Sequence, residues 1–168
     1  MALGNEGLTA AKFDTNIRAL RGTVMSLPVT NPSTESDFYV GLPSGFNVVP
    51  TGVLAQDVVE PGYPLTSELW LDPTTNNPIT GSTPPAPFVS QGRAWGLITG
   101  SMEAEVIAAD TTIQAEDDVV IADAYGRVTS IRNVTSGNTA YVVGKAKYPP
   151  TAVNQKIRIQ VSLRQTKV

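Results

Sequence analysis

The sequence predicts an all-β chain, a compact antiparallel β-barrel or sandwich with an extended or partly helical N-terminal arm. Three observations predict it. Glycine and proline number 14 and 13 among 168 residues, a density that suits short strands joined by tight turns. From Asp37 onward turn signals recur at intervals of about ten residues, the spacing of antiparallel barrels and sandwiches. Near the C-terminus, Ile157, Ile159, Val161 and Leu163 alternate with Lys156, Arg158, Gln160, Ser162 and Arg164. That period of two marks a strand with one buried face and one wet face. The length predicts one domain, or a domain with an arm. Such a chain can bury roughly 70% of its unfolded surface, so its core needs no disulfide or metal.

Residues 1–30 are the expected arm. Thr9 is placed to cap a short helix in which Phe13, Ile17 and Leu20 share a face and Gly22 ends the run. The stripe is narrow, and Thr15 and Asn16 are poor helix formers. The segment therefore reads either as a marginal helix or as an arm that orders on a partner. Residues 31–168 are the β domain. DFYVGLPSGFNVV reads as two short strands around the turn at Leu42–Gly45, and TGVLAQDVVEPGYPL follows, with a turn signal at Pro61-Gly62. Residues 72–88 hold five prolines and no charge after Asp72, a long surface loop suited to contact. GRAWGLITGSMEAEVIA gives two strands, the second with Ala104 and Val106 inward and Glu103 and Glu105 outward. DDVVIADAYGRVTSI is a hairpin with its turn at Asp123–Gly126, where Gly126 supplies a positive φ. AYVVGKAKY is another strand, and Pro149-Pro150 breaks the chain before the last.

Composition removes whole classes of chemistry. With no histidine and no cysteine, neither Ser-His-Asp nor Cys-His catalysis can operate, and zinc–sulfur sites are excluded. Glu103 and Glu105 lie two apart on one strand face, whereas a glycosidase pair faces across a cleft; they read as a solvated face. Asp110, Glu116, Asp117, Asp118 and Asp123 could gather round calcium but lack the EF-hand pattern. No glycine-rich phosphate loop and no Ser-x-x-Lys motif occurs, so the expectation is no enzyme and no cofactor. The chain lacks an apolar signal core and any run near the roughly 20 residues of a spanning helix, and is expected to be soluble, made in a cytosol and free of membrane.

Charge is unevenly placed. Residues 31–144 carry a net −10, and from Lys145 onward six cations stand with no acid. A basic end on an acidic body suits docking to an acidic protein, or pairing within its own sheet. Nucleic acid is not the expected partner, because the cations are not interleaved with exposed aromatics.

The C-terminal half carries a resemblance. VVIADAYGRVTSI followed by YVVGKAKYPPTAVNQKIRIQVSL resembles the plan of capsid decoration, or head cement, proteins of tailed bacteriophages. Asp123, Gly126, Arg127 and Val128 match the hairpin; Val143, Gly144 and Ala146 match the next strand; Ile157 to Leu163 match the last. TGVLAQDVVEPG, residues 51–62, is similar to a segment of small head-decoration proteins. The resemblance covers residues 88–168 and, loosely, 40–70. It implies a structural virion protein on the outer capsid surface, bound to the major capsid protein and to itself, a homotrimer ahead of a dimer. On that view Phe13, Ile17 and Leu20 on the arm, with Lys156 and Arg158, contribute to docking or subunit contacts. The alternative is an all-β glycan- or receptor-binding head-fibre or adhesin module using Tyr63, Trp70 and the 72–88 loop.

Overall fold

The computed structural model describes residues 7–15, 17–27, 38–58 and 90–168. Among them the backbone forms ten strands and no α-helix: β1 Leu8–Phe13, β2 Val24–Ser26, β3 Tyr39–Val40, β4 Pro50–Leu54, β5 Ala94–Ile98, β6 Gly100–Ile107, β7 Asp118–Ile121, β8 Val128–Ser130, β9 Thr139–Ala146 and β10 Lys156–Lys167. A single 3-10 turn, Ile131–Asn133, follows β8. The strands make two five-stranded sheets, ordered β2-β4-β5-β1-β3 and β6-β10-β9-β7-β8. All pairings are antiparallel except β1 with β3.

Each sheet curls until its two edge strands touch. Ser26, ending β2, exchanges backbone hydrogen bonds with Gly41, just past β3, at 3.0 and 3.1 Å. In the second sheet Ala108, just past β6, bridges Val128 at the start of β8, and the N–H of Ala109 donates to the Val128 carbonyl at 2.8 Å. Closure of this kind hides edge groups that would otherwise seek other chains.

Alternation sorts the apolar residues into two cores. Val24 and Val53 face the second sheet and join Ala104, Val106, Ile121, Val143, Ile157, Ile159 and Val161. Their chain neighbours Met25 and Leu54 point the other way, into a core with Phe13, Val40, Val58 and Leu97. The first sheet is thus buried on both faces, and each large side chain so buried contributes about 1.5–3 kcal/mol.

Two sequence expectations are corrected. The helix capped by Thr9 does not form: Thr9 lies in β1, and Leu8–Phe13 and Val24–Ser26 are strands of the first sheet. Pairing with Ala94–Ile98, more than 80 residues away, outweighs a weak local helix preference. These residues are part of the body and not an appended arm. The expected hairpin at Leu42–Gly45 is also absent, since β3 and β4 are not neighbours. Instead Asn47, at φ 50°, hands its N–H to the Ile121 carbonyl at 2.8 Å. Its amide donates to the Thr139 carbonyl at 2.8 Å and accepts from the Tyr141 N–H at 3.0 Å. A short side chain that mimics a strand rung there ties residues 41–49 across the second sheet. The expected loop 72–88, with Tyr63 and Trp70, lies outside the described residues.

Candidate interaction surface

The wet face of β10 is met by the acids of its own neighbours. Register places Arg158 opposite Glu105 and Gln160 opposite Glu103. The Arg158 guanidinium stands 3.6 Å from Glu103, and Lys147 reaches the other oxygen of that carboxylate at 3.8 Å. Arg21, far away in sequence, closes on Glu105 at 2.6 Å. At the other end of the strand pair, Asp118 takes Arg164 at 2.5 Å and Lys145 at 3.8 Å. Four of the six cations of the basic stretch are thus paired inside the sheet, two to each carboxylate, by contacts that are partly exposed and worth about 0–1 kcal/mol each.

Between the sheets these groups line a groove of about 330 Å³, walled by Leu54, Ala55, Ile98 and Ala104 and rimmed by Arg21, Glu103, Glu105 and Arg158. Glu103 and Glu105 share one wall, and among the described residues no other carboxylate lines the opening. Of the residues expected at an interface, Arg158 is exposed on this rim and Lys156 is partly buried one rung away. The others are placed differently. Phe13 is 0% and Leu20 6% exposed, and Ile17 packs against the same core. Phe13 and Leu20 are thereby withdrawn from any partner, while Ile17 is partly buried. The sequence displays Lys147 as one of the C-terminal cations but not its reach to Glu103, and it gives no sign of Arg21, because the contact with Glu105 on β6 is far away in sequence and has no motif.

The acid run does not gather round one point. Asp123 accepts from Arg127 Nε at 2.7 Å. Asp110 accepts from the Thr112 and Thr129 hydroxyls at 2.6 Å each and from the Thr112 N–H at 2.8 Å. Asp117 takes the Gln114 N–H at 2.9 Å, the Ser130 hydroxyl at 2.9 Å and Arg132 at 2.7 Å. Among the described residues no three acids stand together as a metal cage.

Burial pushes the carboxyls of Asp110 and Asp117 upward, but their hydrogen bonds, with help from Arg127 and Arg132, outweigh it and hold both below the usual 3.8. A depressed folded value means these groups stabilise the fold above the ordinary carboxylate range. That contribution is lost as pH falls through the folded values. Urea midpoints measured from about pH 6 down to pH 2 are expected to fall less steeply for Asp110→Asn with Asp117→Asn than for the parent.

Trp95 is partly buried and packs against the first-sheet core. Its ring stacks on Phe13 with centroids 5.9 Å apart, and its N–H donates to the Ser90 carbonyl at 3.3 Å. No protein-family model matches the chain, and no curated protein matches it.

Proposed function

We propose that this protein is a capsid decoration protein: it binds the outer surface of a phage head, contacts the major capsid protein, and stabilises the shell without chemistry. The observation that carries the reading is where the matching segments fall. Asp123–Val128 spans the β7–β8 turn, Val143–Ala146 is the end of β9, and Ile157–Leu163 is in β10. All three belong to one sheet, in the order β10-β9-β7-β8, so the resembling plan is one structural unit. An all-β body with both sheets curled shut is a stiff platform for presenting surface to a shell, and many copies would make weak contacts sufficient.

Mixing the purified protein with undecorated, expanded heads tests this. The expected result is saturable occupancy together with a rise in the temperature at which the heads rupture. Binding to glycans in an array with no binding to heads would replace it with the receptor-binding reading.

A further inference from the structure

We propose that the C-terminal half of β10 is the seam of a twofold pair, formed by antiparallel addition of the same strand from a second copy of this chain.

The argument starts from where β6 stops. Its pairing with β10 runs from Ile107 opposite Lys156 to Gly100 opposite Ser162 and ends there. β10 continues through Leu163 to Lys167; Arg164 to Lys167 pair on the other side with Val142 to Thr139 of β9, and Leu163 lies in the bulge before them. Backbone groups of a strand alternate in direction. The N–H of Val168 donates to the Asn138 carbonyl at 3.0 Å, and its carbonyl accepts from the Gly137 N–H at 2.7 Å. Val168 thus points toward β9, as do Thr166 and Arg164. Lys167, Gln165 and Leu163 then aim their N–H and C=O away from β9, along the line β6 has vacated. Among the described residues nothing pairs with them there, and Gln165 and Lys167 are exposed.

A guarded edge is ordinarily short, bulged or charged. This one is short and carries cations, which deters unmatched strands. It is nonetheless matched to itself. Antiparallel addition centred on Gln165 sets Gln165 opposite Gln165 and Leu163 opposite Lys167 of the second copy, each pair exchanging two backbone hydrogen bonds. No like charges are opposed in that register: Arg164 falls opposite Thr166 and Lys167 opposite Leu163. Beside the edge lies a groove of about 460 Å³ lined by Val49, Pro50, Tyr141, Leu163, Arg164 and Gln165. It is mostly apolar, and Val49 is 44% exposed. The stem of Lys167 from the second copy would lie over Leu163 at its margin. Centring on Gln165 is isologous, so it closes at two copies rather than growing.

Charge reversal at the axis tests it, because only there does a residue meet itself. Sedimentation equilibrium of the parent is expected to show a monomer–dimer equilibrium. Gln165→Lys and Gln165→Glu should each raise the dissociation constant at least about tenfold by opposing like charges. An equimolar mixture of the two should recover association, with melting midpoints of dilute samples unchanged. If a charged variant fails to fold, Gln165→Pro, which removes the outward N–H and also fixes the local φ, carries the same expectation of dissociation, read on a sample whose melting midpoint shows it folded. A parent that stays monomeric, a trimer indifferent to these changes, or a mixture no better than its components would overturn the proposal. Head binding is read separately, so this can fail while the capsid reading stands.

Discussion

Phe13→Ala is expected to lower the unfolding free energy by about 3–5 kcal/mol. Phe13 is fully buried and sits at a junction: its backbone pairs with Val40 and bridges Gln91, and its carbonyl accepts from the Gly92 N–H at 3.2 Å. Its ring stacks on Trp95 at an interplanar angle of 15°, so truncation removes an aromatic partner as well as volume. The walls of the hole are strands tied to one another by the Ser26–Gly41 closure, which limits collapse into it. Urea denaturation of the purified variant reads the loss directly. Were Phe13 a docking residue on a free arm, the melting point would stay put and only head binding would weaken. Weaker binding by a variant with unchanged stability would therefore overturn the placement of β1 in the core.

The local sequence of residues 1–30 favours a helix for a physical reason. Phe13, Ile17 and Leu20 are spaced for a helix face, and nothing near them in sequence reveals the strand that pairs with β1. The partner, Ala94–Ile98, lies beyond more than 80 residues, and non-local pairing leaves no periodic trace in a six-residue strand. The C-terminal half was legible because its order is local. β7 and β8 form a hairpin, β9 follows, and the alternation of β10 is long enough to declare its faces, with Ile157, Ile159 and Val161 buried as expected. The same alternation displayed the cations but not their use. Seeing that Glu103 lies within reach of both Arg158 and Lys147 needs the register of three strands, and register is fixed by turns and bulges that composition does not encode. The bulge between Val161 and Arg164 is the sharpest instance. It lets β10 follow β9 past the end of β6.

Gly126→Ala is expected to cost about 2–5 kcal/mol, more than a turn glycine alone explains. The turn itself is well determined: Asp123 accepts from the Tyr125 N–H at 3.0 Å and its carbonyl accepts from the Gly126 N–H at 3.2 Å. Arg127, held by Asp123, also reaches Asn154 at 2.8 Å, so the hairpin cannot swing aside cheaply. At φ +73° an alanine pays about 1–2 kcal/mol for the left-handed backbone. The second part comes from the other sheet. A Cβ on Gly126 would stand 2.5 Å from the Val24 carbonyl oxygen and 2.6 Å from the Thr23 methyl, while the N–H of Val24 donates to the Gly126 carbonyl at 2.9 Å. Gly126 is thus a joint between the β7–β8 turn and β2, and forcing the two apart adds about 1–3 kcal/mol. Gly137→Ala separates the parts: Gly137 has φ +90° and nothing near its absent Cβ, so only the backbone cost of about 1–2 kcal/mol applies. Urea unfolding of both variants should rank Gly126→Ala clearly below Gly137→Ala. Equal losses would mean that the sheets do not press on each other at this point, and that the turn alone requires the glycine.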